Sequence, residues 1–175
     1  MKTRNLSIRS LFLLSFLAAF TLQSPAQVEY STGSISVGLI VEDVQKSVDF
    51  YTHVLGMKEV SPFQVDAKKA TELGLSNGKA FDVRVLKTRD SDDASQWKIM
   101  SFKNKSKVCK EETVPDANGL RYITLFVESM TPVVENCKKH KVDFLGKTPS
   151  TLNEVLHFIL IRDPDGNFIE VIGPK

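Results

Sequence analysis

Four kinds of side chain in this chain could do chemistry: a carboxylate alone in an apolar strand, three histidines, two cysteines and a run of acids in a polar loop. The carboxylate is Glu170, within Phe168-Ile-Glu-Val-Ile172. Successive strand residues point to opposite faces, so Glu170 shares a side with Phe168 and Ile172 and opposes Ile169 and Val171. A carboxylate turned inward in such surroundings must be hydrogen-bonded or paired. It could then bind a ligand or move a proton, or be a carboxylate simply satisfied by its neighbours.

The other candidates read as structural. His53 lies off the apolar face of one expected helix and His140 near the end of another, where a cation complements the helix dipole; both belong at the surface. His157 begins a strand whose parity the sequence leaves open, so it could sit at a strand edge or face a cavity. Cys137 falls on the apolar side of a helix, as a buried thiol would. A Cys109–Cys137 disulfide is open as well, although nothing in the spacing brings the two Cα atoms within bonding range. The segment Arg89-Asp-Ser-Asp-Asp-Ala-Ser95 lacks the glycine and distal glutamate of a calcium loop and reads as a solvated turn. The chain has no C-x-x-C, H-x-x-x-H, phosphate-loop or G-x-S-x-G motif.

The elements that must position these residues come next. A chain of 175 residues, 42% hydrophobic and 25% charged, suits one domain with a true core. Residues 1–26 read as a secretory signal: Lys2, Arg4 and Arg9, then an apolar run from Leu11 to Phe20, then Ser24-Pro25-Ala26 as the cleavage site. That run falls well short of the roughly 20 residues that span a bilayer, so export with cleavage after Ala26 is expected, and no stable membrane anchor. Losing those three cations takes 23 basic residues to 20 against 21 acidic ones, so the net charge of +2 becomes −1. Without a basic stripe in the remainder, no nucleic-acid partner is expected.

From Ser36 to Val41 the chain reads as a strand, with Val37, Leu39 and Val41 on one face and Ser36, Gly38 and Ile40 on the other. Asp43 is placed to cap a helix over 44–55 that carries Val44, Val48, Tyr51 and Leu55 at helical spacing, with Gly56 closing it. A strand at 58–65, a short helix at 66–73, a turn at Ser76-Asn77-Gly78, strands at 81–88 and 97–102 and a linker at 103–120 follow. The second half repeats the plan: a strand from Tyr122 to Val127, a cap at Ser129, a helix lined by Met130, Val134 and Cys137, and strands near 142–145, 156–161 and 168–172. Sliding the chain by 86 residues lays Val37-Gly-Leu-Ile-Val-Glu42 on Ile123-Thr-Leu-Phe-Val-Glu128. Two such units, neither able to bury both faces alone, should pair. The fold class expected is α+β, two paired βαβββ modules (about 35–102 and 121–173) forming a curved mixed sheet around a cavity.

Two stretches carry a resemblance. Val37-Gly-Leu-Ile-Val-Glu-Asp43 with Ser47, Phe50-Tyr51 and Leu55-Gly56, and the closing Arg162-Asp-Pro-Asp-Gly-Asn-Phe-Ile-Glu170, resemble the vicinal-oxygen-chelate superfamily across roughly residues 35–173. That superfamily includes glyoxalase I, extradiol dioxygenases, fosfomycin-modifying enzymes and bleomycin-binding proteins. The resemblance implies a glyoxalase/bleomycin-resistance-like fold. In metal-dependent members it implies a divalent ion held by a His-type residue on the first strand and a Glu on the last strand of each module. Carried onto this chain, the first-strand positions are Ser36 and Tyr122 and the last-strand positions Met100 and Glu170.

Serine and tyrosine are poor neutral ligands and a thioether is too soft for Mg, Mn or Zn, so no metal or other cofactor is expected. By the family geometry, Tyr122 and Ser36 are the partners expected for Glu170. The expected ligand cavity is lined by Ser36, Gly38, Ile40, Met100, Tyr122, Thr124, Phe126, Phe168 and Glu170, apolar and aromatic walls with few polar groups, as a small organic molecule requires. Three functions follow: an exported metal-free binding protein, a lyase, isomerase or dioxygenase with Glu170 as catalytic base or a rebuilt metal site, and an interaction module with a vestigial cavity. Either a monomer or a homodimer would satisfy the pattern.

Overall fold

Two aspartates start the helices of the first half. The Asp43 carboxylate accepts the Lys46 N–H at 3.0 Å and Asp66 accepts that of Lys69 at 2.8 Å, each satisfying a donor that the helix cannot. The computed structural model describes residues 28–102 and 111–175. The leader at 1–26, Cys109 and the start of the linker, 103–110, lie outside the described residues.

The first module runs β1 (Ser36–Ile40), α1 (Val44–His53), β2 (Lys58–Val65), α2 (Ala67–Glu72), β3 (Phe81–Lys87) and β4 (Gln96–Met100). The second runs β5 (Tyr122–Phe126), α3 (Thr131–Lys139), β6 (Ser150–Thr151), β7 (Leu156–Arg162) and β8 (Phe168–Pro174). Each makes a four-stranded sheet, ordered β1-β4-β3-β2 and β5-β8-β7-β6. In each the first strand lies parallel to the last and the other pairings are antiparallel. Gly56, at φ +70°, turns the chain out of α1, a conformation that penalises any residue with a Cβ. At α3 the N-cap is Met130 and not the expected Ser129, whose hydroxyl oxygen accepts the Thr131 N–H at 3.3 Å from one residue further out.

One expected strand is absent. Residues 142–145 make a single backbone bond to β7, from Leu145 N–H to Leu160 C=O at 2.8 Å, and the edge strand is instead the two-residue β6. Gly146 turns the chain at φ +64° and Pro149 has no N–H to give a ladder. Val142 and Phe144 nonetheless pack on the core, so their alternation reports burial and not pairing.

The aliphatic sides of both sheets face the helices. Val48, Tyr51 and Val54 of the α1 region, Met130, Val133 and Cys137 at α3, and Trp97, Ile99, Ile159, Ile161, Ile169 and Val171 form one buried cluster across both modules, with Val37, Leu39, Ile123 and Leu125 against it. At roughly 1.5–3 kcal/mol for each large side chain fully buried, this shared core is what fixes the strand parities. A smaller cluster, Ala70 with Phe81, Val83 and Val85, lies on the opposite face of the first sheet, where Met100 and Phe102 join it. There α2 covers the side that α1 leaves bare.

A polar lock joins the modules. Tyr51, 1% exposed, donates its hydroxyl to Asp163 Oδ2 at 2.8 Å. Asp163 also accepts the backbone N–H groups of Asp165 and Asn167 and the Asn167 amide. Asp165 in turn accepts the Ser47 hydroxyl at 3.1 Å and the Glu42 N–H at 2.8 Å. The Phe50-Tyr51 and Asp163-Pro-Asp-Gly-Asn167 segments are thus two halves of one contact. It brings the end of β1 to the start of β8, while the end of β5 shares a cleft with Gly33, Ser34 and Ser95 at the start of β1 and β4. The first strands of the two modules therefore run past each other in opposite directions. Residues Gly33–Lys175 fold as one unit.

Candidate functional site: the helix-free face of β1 and β5

Because Ile169 and Val171 are buried against the helices, Glu170 points to the other face, and the ladder arranges that face in rows. In the second module they are Arg162–Phe168–Tyr122, Leu160–Glu170–Thr124 and Phe158–Ile172–Phe126. In the first, Ile40 pairs with Met100, Gly38 with Lys98 and Ser36 with Gln96, while Lys98 also faces Val85 of β3. Ile40, Tyr122 and Phe126 are 55%, 47% and 79% exposed, so along β1 and β5 this face is open and presents apolar and aromatic side chains. A Cβ added at Gly38 would meet only the Met100 terminal methyl, at 3.9 Å.

Glu170 is half-buried and its Oε2 accepts the Thr124 hydroxyl. This corrects the expectation that Tyr122 or Ser36 partners it: Tyr122 pairs with Phe168, one row away. Glu170 Oε1 accepts no hydrogen bond from the described residues.

Phe168 is buried under the guanidinium of Arg162, 4.6 Å from its ring centroid, with Arg121 at 5.9 Å. It therefore forms a floor beneath cations. Arg162 Nη2 donates to the carbonyls of Glu111 (2.9 Å) and Glu112 (2.5 Å), and Arg121 Nε to that of Val114 at 2.9 Å, so these two arginines hold the described part of the linker beside Phe168.

The register also moves one position. The shift of 86 residues that lays Ser36 on Tyr122 lays Gly38 on Thr124, whose ladder partner is Glu170. The partner of Gly38 is Lys98. The first-module counterpart of Glu170 is thus Lys98, one pleat from Met100, and Met100 instead corresponds to Ile172. The sequence could place both on one face but had no means of choosing between them without the pairing to β1.

The remaining candidates lie elsewhere. His157 pairs with Gly173 and shares a face with Ile159 and Ile161, on the helix side of the sheet. His53 and His140 stack on each other at 5.8 Å, exposed, where α1 and α3 end. Cys137 is fully buried and unpaired, and burial pushes its thiol pKa up to about 11. A separate cleft of about 930 Å³ lies over β2 and β3, between Pro62, Phe63, Phe81 and Phe102. Arg84 on its rim is held by Glu59, which keeps that carboxyl below the usual range through this hydrogen bond.

The family model for the Glyoxalase/Bleomycin resistance protein/Dioxygenase superfamily matches residues 33–171. The chain belongs to that superfamily. Among solved structures, a glyoxalase family protein from Bacillus cereus superposes with a TM-score of 0.68 at 17% identity, over 86% of this chain and 99% of that one. The trypanothione-dependent glyoxalase I of Leishmania major gives 0.55 at 20% identity, over 82% and 87%. A glyoxylase/bleomycin resistance protein/dioxygenase domain from Frankia sp. EAN1pec gives 0.54 at 20%, over 85% and 94%. Identities this low speak to the shared fold alone. No match was found among curated proteins.

The donor set can be tested against the ion that metal-dependent members of the superfamily hold. Its four positions here are Ser36, Lys98, Tyr122 and Glu170, and they do not fit. Neutral hydroxyls are weak ligands, and an ammonium offers three donors and no lone pair. Among the described residues, no group of three or more His, Cys, Asp or Glu could hold an ion.

Proposed function

We propose that this is an exported binding protein of the superfamily that takes a small organic molecule on the open face along β1 and β5 without a resident divalent ion. One observation carries the reading: the four positions that would chelate an ion present a single carboxylate, already engaged by Thr124, and an ammonium. Ile40, Tyr122 and Phe126 supply apolar area beside them, the mixture that small-molecule sites use. The apolar run before Ala26 supports export, and among the described residues no helix is long and apolar enough to cross a membrane.

The test is ligand-detected NMR with a library of small organic fragments on the wild type and on Phe126→Ala. Hits that weaken severalfold in the variant support this face as the site, and hits indifferent to both Phe126 and Tyr122 would remove it. A second reading, a lyase, isomerase or dioxygenase, is favoured by Glu170 Oε1, which accepts no hydrogen bond from the described residues and could accept a proton. Under it Glu170→Gln abolishes turnover. Under the binding reading the same change alters affinity alone.

A further inference from the structure

The cleft over β2 and β3 is lined by two opposite charges that meet no partner in the fold. It lies where β3 begins and β4 ends, and its charged residues point to the helix side of the first sheet. Arg84 pairs with Ile99, which is fully buried in the shared core, and Asp82, two residues earlier on β3, shares that side. The open face along β1 and β5 is on the other side. Val85 faces Lys98 as Leu160 faces Glu170, so Arg84 corresponds to Ile159 of the second module and Asp82 to His157. Where the second module buries an isoleucine completely, the first has charge and a cleft of about 930 Å³, a volume that small-molecule sites occupy.

Asp82 pairs in the ladder with Gln64, and Ser101 lines the same cleft. Lys79 enters it from just before β3. The Ser76 hydroxyl accepts the Lys79 N–H at 3.2 Å and donates to its C=O at 2.6 Å, which fixes where that side chain starts. Among the described residues the side chains of Gln64, Lys79, Asp82 and Ser101 make no hydrogen bond or ion pair, so Lys79 and Asp82 share one cleft without meeting. The third charge, Arg84, is already neutralised. Glu59 takes its Nε and, at 2.7 Å, its Nη2, and Gln45 meets its Nη1 at 3.5 Å. One cation and one anion remain open to a ligand. Val44, Pro62 and Phe63 add apolar wall, Phe63 standing 42% exposed beside the bulge in β2.

We propose that this cleft is a second binding site, separate from the face along β1 and β5, and that it takes a free α-amino acid with an apolar or aromatic side chain as its zwitterion. Asp82 accepts from the ligand ammonium and Lys79 donates to the ligand carboxylate, both as charge-assisted hydrogen bonds. Gln64 and Ser101 offer further polar partners, and the ligand side chain packs on Pro62 and Phe63. The separation of the two charges sets the selectivity. A monocation satisfies Asp82 alone and a monoanion Lys79 alone, whereas a zwitterion placed between them satisfies both.

The experiment is an NMR titration of the full protein, followed at its backbone amides, with phenylalanine and with its two single-charge counterparts, phenethylamine and 3-phenylpropionate, repeated on Asp82→Asn and Lys79→Gln. An ion pair at a partly exposed site is worth up to about fivefold in affinity, so wild type should hold phenylalanine roughly three- to fivefold more tightly than either counterpart, with shifts centred on Phe63, Gln64 and Asp82. Asp82→Asn should lower phenylalanine to the level of phenylpropionate and leave phenylpropionate unchanged. Lys79→Gln should lower it to the level of phenethylamine and leave phenethylamine unchanged. A loss of packing alone would weaken all three ligands together. That result, equal affinity of wild type for the three, shifts centred elsewhere, or no shift with phenylalanine would each overturn the proposal. Both variants leave Tyr122 and Phe126 intact, so the face along β1 and β5 stands or falls on its own test.

Discussion

The hydroxyl of Tyr51 should be worth more to this protein than that of an ordinary buried tyrosine, because it ties one module to the other through a carboxylate. Tyr51→Phe keeps the ring, with its contacts to Phe50 and Trp97, and deletes only the 2.8 Å bond to Asp163. A hydrogen bond to a charged group contributes about 1.5–3 kcal/mol. Asp163 keeps three further donors, from Asp165 N–H, Asn167 N–H and the Asn167 amide, so the lower end, about 1.5 kcal/mol, applies. With a urea dependence near 2 kcal/mol per molar, the unfolding midpoint should fall by roughly 0.7 M.

The pH dependence gives a second handle on the same bond. Burial first, then the charge of Asp163, raise the Tyr51 pKa well above its usual 10.0. The unfolded phenol ionises near pH 10 while the folded one keeps its proton, so the native state binds more protons and stability falls as pH rises past 10. That loss, up to about 1.4 kcal/mol per pH unit, is absent in Tyr51→Phe. The two urea curves should therefore be furthest apart near neutrality and converge toward pH 11. A midpoint change equivalent to less than about 0.5 kcal/mol at pH 7, or an alkaline slope that is the same in both proteins, would refute the reasoning.

Other outcomes follow from single contacts. Gly173→Ala would set a Cβ 2.4 Å from the Val127 carbonyl oxygen and 2.7 Å from its Cγ2. Backbone must then move, at about 2 kcal/mol or more in thermal or urea unfolding, and a stability unchanged from wild type would show the approach to be looser. In a Cys109→Ser background, Cys137 should resist a thiol reagent at pH 8 on the time scale of local opening and react once urea unfolds the chain, since its thiol is buried and its pKa raised to about 11. Prompt reaction of the folded protein would contradict that burial.

Much of this architecture was legible because one core reads both modules. The 3.6-residue pattern of Val44, Val48 and Tyr51 and the alternation of Val37, Leu39 and Val41 report the same buried side, and the repeat at 86 residues doubles the signal. The cap at Asp43 and the turn at Gly56 also follow from local chemistry, whereas the N-cap of α3 is Met130, one residue beyond the expected Ser129. Residues 142–145 misled because Val142 and Phe144 alternate for burial without pairing, and a strand needs both. At the site, parity placed Glu170 away from the helices, but parity repeats every two residues and leaves Lys98 and Met100 equivalent. Only the pairing of Gly38 with Lys98 separates them, and pairing across 60 residues leaves no mark in local sequence. For the same reason Thr124, and not Tyr122 or Ser36, emerges as the partner of Glu170. The Tyr51–Asp163 lock was visible only as two disconnected motifs.

The central claim is that an ammonium and two neutral hydroxyls leave Glu170 without the company a divalent ion needs. Its most direct test is the metal content of the purified protein after dialysis, measured beside a Ser36→His, Lys98→Glu, Tyr122→His triple variant. Well under about 0.1 divalent ion per wild-type chain is expected, and close to one in the variant, whose four positions then match the His and Glu pattern of metal-dependent relatives. A stoichiometric ion in the wild type that is lost on Glu170→Gln would contradict it.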